Sequence, residues 1–99
     1  MKNPIKGLHK EFENRIKLGI MSILMVNDTV DFNEIKDVLE VTDGNLASHA
    51  SALEKKKMIT ITKKFIGKKP NTSYAATDKG RQAFTEHLTA LEALVKNNP

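Results

Sequence analysis

The chain has no cysteine, so disulfides, thiolate metal sites and cysteine nucleophiles are all excluded. It has no tryptophan, one tyrosine and four phenylalanines, so a core must rest on Ile, Leu, Val and Met. Long apolar runs are missing too. The longest, Ile20 to Val26, contains Ser22 and falls far short of the ~20 residues that span a bilayer. Met1-Lys2-Asn3-Pro4 leads into mixed polar sequence rather than an apolar h-region, so no signal peptide is expected, no membrane partner, and a cytoplasmic location. No Gly/Ser linker or internal repeat divides the 99 residues, which read as a single domain over 1–99. At 39% hydrophobic and 28% charged, such a domain has little spare volume for a deep, dry active site.

One stretch lacks acid altogether. From Lys55 to Thr77 there are seven lysines (Lys55, Lys56, Lys57, Lys63, Lys64, Lys68, Lys69) and no Asp or Glu. From Asp28 to Glu54 the balance is reversed, with seven acids against the single base Lys36. The formal net charge of +4 is therefore concentrated in one tract, as a polyanion binder requires, although a solvated lysine face gives the same count.

Apolar periodicity from Phe12 to Val26 specifies helix, with Ile16, Gly19, Ile20, Ile23 and Leu24 on one stripe. Asn3-Pro4 and Asn14 both offer starts, so one long helix and two short ones are both open. Asn27-Asp28 ends it. Thr29-Val30-Asp31-Phe32 reads as a short extended piece, after which Asp31 or Asn33 caps a second helix carrying Ile35, Val38 and Leu39 inward. Thr42, followed by Asp43, is the clearest cap, opening a third helix with Leu46, Ala50 and Leu53 on its inner face and Ala47 on the inner flank. After Lys57 the period drops to two. Ile59, Ile61, Lys63 and Phe65 alternate with polar residues, Ile66 to Thr72 read as a six- or seven-residue basic loop, and Ser73 to Ala76 as a return strand. Thr77 caps a last helix with Phe84, Leu88, Leu91 and Val95 on its apolar face. The expected fold is mainly α with a small antiparallel β-hairpin, in the order α-β-α-α-β-wing-β-α. This is a winged helix-turn-helix, with the helix-turn-helix over about 33–57, the wing over about 58–76 and a C-terminal dimerisation helix over about 78–96.

The outer face of the third helix carries Asn45, Ser48 and His49, short donors and acceptors of the kind that reach base edges in a major groove. Gly44 lets the helix N-terminus approach a phosphate. Lys55, Lys56 and Lys57 complement the dipole at the other end, and one or two of them also suit phosphate contact. Lys68 and Lys69 at the hairpin tip suit the backbone or minor groove. Because the recognition helix carries no base before Lys55, affinity is expected mainly from the wing and the lysines beside it.

The runs Val41-Thr42-Asp43-Gly44-Asn45-Leu46-Ala47-Ser48-His49, Lys64-Phe65-Ile66-Gly67-Lys68-Lys69-Pro70-Asn71-Thr72 and Ala76-Thr77-Asp78-Lys79-Gly80-Arg81 together resemble the small winged helix-turn-helix transcriptional regulators related to the MarR and ArsR groups. The resemblance spans roughly Arg15 to Leu94. It implies a homodimer joined through terminal helices, contacts to bases or backbone from Thr42, Asn45, Ser48 and His49, and wing contacts from Lys68, Lys69 and Thr72. Ala47 stands where serine is commoner, which removes a polar contact, and Ala75-Ala76 replace bulkier residues under the wing. The candidate DNA contacts are thus Thr42, Gly44, Asn45, Ser48, His49, Lys55, Lys56, Lys64, Lys68, Lys69, Asn71 and Thr72. The candidate dimer residues are Phe84, Leu88, Leu91, Leu94 and Val95.

Catalysis is not expected. His9, His49 and His87 lie far apart with no paired carboxylate at ligand spacing, and neither a phosphate-cradling glycine loop nor a nucleophile elbow is present, so no metal or cofactor is expected. Nothing indicates a small-molecule effector, and a sensor role would add to DNA binding rather than replace it. The competing expectation is a winged-helix protein-protein interaction module without specific DNA binding, using the acidic second helix as its surface.

Overall fold

Asn14 decides where the first long helix begins. In the computed structural model, which describes residues 3–97, the Asn14 side-chain oxygen accepts the backbone N–H groups of Ile16 and Lys17, each at 3.0 Å. Lys10–Glu13 is accordingly a separate 3-10 turn, and α1 runs Arg15–Met25. Capping of this kind satisfies amides that have no partner inside the helix and contributes about 1 kcal/mol.

A two-residue strand, β1 (Val30–Asp31), leads directly into α2 (Phe32–Leu39), so Phe32 belongs to the helix rather than to the extended piece before it. Asp31 holds the N-cap position without a side-chain hydrogen bond, and Asn33 lies inside the helix. Including Phe32 turns the buried stripe. Phe32, Ile35 and Leu39 face the core, whereas Val38 lies roughly 90° round the helix from the centre of that face and is 69% exposed. The inward placement of Val38 expected from its spacing is therefore corrected.

The third helix, α3 (Asp43–Lys55), starts at Thr42, whose hydroxyl accepts the Asn45 N–H at 3.2 Å. Leu46, Ala50 and Leu53 are fully buried. Its end is a Schellman arrangement without glycine. Met58 N–H donates to the Leu53 carbonyl at 3.0 Å and Lys57 N–H to the Glu54 carbonyl at 2.8 Å, with Lys57 itself left-handed at φ 60°. Buried Leu53 and Met58 supply the apolar pair that accompanies this motif.

The hairpin is longer and tighter than the turn residues suggest. β2 (Ile59–Ile66) pairs with β3 (Lys69–Ala76) from Ile59↔Ala76 through to Ile66↔Lys69, leaving only Gly67 and Lys68 as the turn. The expected six- or seven-residue loop is thus replaced by a two-residue one, made possible by Gly67 at φ 64° in its first position. Pro70 sits inside β3 opposite Phe65. The pair next to a two-residue turn's flanking pair makes no ladder bond, so the missing N–H of Pro70 costs nothing there. β1 pairs with the other side of β3 through Val30↔Tyr74, giving a three-stranded sheet in the order β1-β3-β2.

The start of α4 (Asp78–Asn97) ties the sheet to the helices. Thr77 accepts the Gly80 N–H at 3.0 Å, donates its hydroxyl to the Lys57 carbonyl at 2.7 Å and its N–H to the Met58 carbonyl at 3.0 Å. A Cβ at Gly80 would lie 2.0 Å from the Met58 carbonyl oxygen, so only glycine allows this approach. Arg81 reaches back to the C-terminus of α1, donating to the carbonyls of Leu24 and Met25 at 3.2 and 3.0 Å. Further along α4, Phe84 packs edge-on against Phe12 at 5.2 Å, and buried His87 accepts the His9 backbone N–H at 3.0 Å. Ile20, Met21 and Leu24 of α1 complete the core between these layers.

Candidate nucleic-acid interface

Away from its buried face, α3 presents two others. Ser48 and Lys55 lie opposite Leu46, Ala50 and Leu53, Asn45 lies roughly 105° round from that buried face, and all three are exposed, as are Thr42 and Gly44 at the helix start. His49 is turned roughly 60° from the core direction and is half-buried, so it flanks this outer face rather than crowning it. The third face is a finding of the structure. Ala47, Ser51 and Glu54 follow one another at i, i+4 and i+7 and line an open groove of about 670 Å³, closed on the other side by Ile61, Lys63, Thr72 and Tyr74 of the hairpin and by Phe32. Ala47 is consequently exposed, not an inner-flank residue. Tyr74 is buried at the base of the hairpin, and burial, reinforced by the Glu54 carboxylate, pushes its phenol up.

Gly44 is unusual in this setting. A Cβ there would meet nothing within 4 Å, so no packing inside the chain calls for glycine. The same first turn carries Asp43, which opposes an approaching phosphate, but Lys36 answers it at 2.9 Å across the helix-turn-helix. The Asp43 carboxylate, by hydrogen bonding and then by charge, holds the Lys36 ammonium above its ordinary value. Lys36 was not a candidate on sequence. Its signal was its isolation, the one base among seven acids.

Strand alternation divides the wing residues. Lys64 and Asn71 are cross-strand partners on one face, next to the Ile66–Lys69 pair. Thr72 pairs with Lys63 on the opposite face, in the groove beside α3, followed by Phe65 with Pro70. The candidates Lys64, Lys69 and Asn71 are therefore gathered on one side and Thr72 on the other, with Lys68 at the turn. Lys63 joins Thr72 as a wing residue that residue type alone did not single out. At the far end of α3, Lys56 leans to Glu11 at 3.8 Å, a loose pair worth little, while Lys55 makes no ion pair within 4.0 Å among the described residues.

A helix-turn-helix followed at once by a basic hairpin is the arrangement matched by a family model described as a winged helix DNA-binding domain, over residues 16–95. The chain belongs to the winged helix DNA-binding domain family. It is 32% identical over 88 residues to an uncharacterized protein of Methanocaldococcus jannaschii, covering 89% of this chain and 96% of that one. Among solved structures it is similar to a transcriptional regulator homologue from Pyrococcus horikoshii OT3, with a TM-score of 0.84 at 31% identity over 95% of this chain and 91% of the other. The YusO protein of Bacillus subtilis shares the fold, with a TM-score of 0.81 at 21% identity over 95% of this chain and 66% of the other.

In this winged helix domain α4 carries apolar surface that the described residues do not cover. Leu88, Leu91 and Val95 are exposed, Val95 by 81%, and Leu94 is half-buried. Phe84 is different. It is buried against Phe12 within the chain, which removes it from the expected dimer surface. Among the described residues no helix is long and apolar enough to cross a membrane, and no three or more His, Cys, Asp or Glu side chains gather as a metal site.

Proposed function

We propose that the chain is a sequence-specific regulator that binds double-stranded DNA as a homodimer and acts by occupying its site, without catalysis. α3 lies in the major groove, where Asn45 and Ser48 read base edges with His49 at their flank. Thr42 and the Gly44 amide meet phosphate, and the wing follows the backbone into the adjacent minor groove. The observation that carries this reading is the separation of neutral polar side chains on α3 from Lys63, Lys64, Lys68 and Lys69 on an exposed, acid-free hairpin beside it. The exposed stripe of Leu88, Leu91 and Val95 supports pairing of two copies through α4. Two-fold pairing matches palindromic sites with half-site centres about 34–36 Å apart. The ion pair of Lys36 with Asp43 supports DNA contact at this end of α3, since it offsets the acid in the helix's own first turn.

A salt-titrated mobility-shift assay tests it. The wild-type chain should lose affinity steeply with salt, and Lys68→Ala with Lys69→Ala should weaken binding to every sequence and flatten the log–log slope by up to about 1.8, at about 0.9 per phosphate contact. Asn45→Ala should instead relax sequence preference. Weak, salt-insensitive binding of the wild type would point to the protein-interaction module.

A further inference from the structure

Phe65 and Ile66 are the largest apolar side chains of the distal hairpin, and the chain leaves them uncovered, 72% and 59% exposed. Every residue from Thr62 to Pro70 is exposed, so none of the described residues packs over the hairpin at this point. Lysine surrounds them. Lys63 and Lys64 precede, Lys68 and Lys69 follow, and no acid lies between Lys55 and Thr77. An apolar ring set among four ammonium groups fits a partner that is polyanionic on its walls and apolar within.

We propose that Phe65, backed by Pro70, is a wedge that enters the minor groove and partly unstacks a base step, so that binding kinks the duplex. This rests on the DNA-binding reading above. Phe65 and Pro70 form the non-hydrogen-bonded pair next to the turn, the pairing in which opposed side chains lie closest. One pair inward on the same face are Lys63 and Thr72, a cation and a hydroxyl suited to the phosphates at the groove wall. The turn ahead of the wedge is only Gly67 and Lys68, which keeps the tip slender for a groove about 6 Å wide. Apolar wedges of Phe, Ile or Pro are the means by which minor-groove proteins bend DNA by roughly 20–90°.

The test uses a duplex recovered from a random pool by the wild-type protein. It carries a dye pair at its ends to report bending and, in a series, one 2-aminopurine at each position under the wing to report unstacking. Wild-type protein should bend the duplex and brighten the fluorophore at one step. Phe65→Ala should melt at the wild-type temperature, and at saturating protein the bound duplex should be straight and its fluorophores quenched. Phe65→Trp should restore both signals. A bound wild-type duplex that is straight and fully stacked overturns the wedge while leaving DNA binding intact, as does Phe65→Ala bending DNA like the wild type. Binding to phosphatidylserine vesicles that depends on Phe65, with DNA shape indifferent to it, overturns the wedge in favour of a membrane surface. Failure to recover any duplex sinks the DNA-binding reading and the wedge with it.

Discussion

Replacing Gly44 with alanine should stabilise the free protein and weaken its hold on DNA. Gly44 is the second residue of α3, it does not have a positive φ, and a Cβ there meets nothing within 4 Å. Alanine therefore fits the native backbone without strain and removes conformational freedom from the unfolded chain, for a gain of about 0.4–1 kcal/mol. In a domain of this size about 1 kcal/mol raises Tm by roughly 4–8 °C, so a rise of about 2–8 °C is expected by calorimetry without DNA. With DNA the sign reverses. The first-turn amides and the helix dipole draw a phosphate to this end of α3, and a methyl group there holds it off. Losing one charge-assisted hydrogen bond of about 1.5–3 kcal/mol weakens binding roughly 10- to 150-fold in a shift assay at fixed salt. A higher Tm with unchanged affinity would take Gly44 out of the phosphate site. A lower Tm would show that the account of the helix start is wrong.

Lys57→Gly should raise stability by about 1 kcal/mol in urea denaturation, because the left-handed φ of 60° closing α3 suits glycine and strains lysine; no gain would mean that the lysine side chain compensates. Gly80→Ala should cost about 3 kcal/mol or more, since its Cβ would stand 2.0 Å from a carbonyl oxygen of the backbone, and a wild-type melting curve would refute the close approach. His87 predicts an acid limit. Burial, then the neighbouring His9, hold its imidazole below 6.5, with Glu13 opposing, and its neutral ring accepts the His9 N–H. The unfolded chain therefore takes up the proton more readily. This contribution to stability is complete above about pH 6.5 and is lost as pH falls from there through the lowered folded value. His87→Gln should remove that slope, as measured by Tm against pH, and an unchanged slope would assign it elsewhere.

The readable parts of the sequence were those where one local rule acted alone. Thr42 capped α3, Thr77 capped α4, and Leu46, Ala50 and Leu53 went into the core, because cap chemistry and a 3.6-residue period each point one way. Val38 departs from its expected inward place because a helix of eight residues has too few positions to fix its own stripe, and moving one residue, Phe32, across its boundary turns the buried face. The wing departs from expectation for the opposite reason. Gly67, Pro70 and Asn71 are all turn formers, but only Gly67 is used as one, since strand pairing places Pro70 where no N–H is needed. Once the turn shortens to two residues, alternation through the longer strands assigns every wing residue to a face. Lys64 and Asn71 fall on one, and Thr72 on the other with Lys63 and Phe65. A loop of six or seven residues would have left those side chains free to choose. In the paired hairpin, whatever sends Lys63 and Thr72 to one phosphate strand also fixes the face on which Phe65 stands.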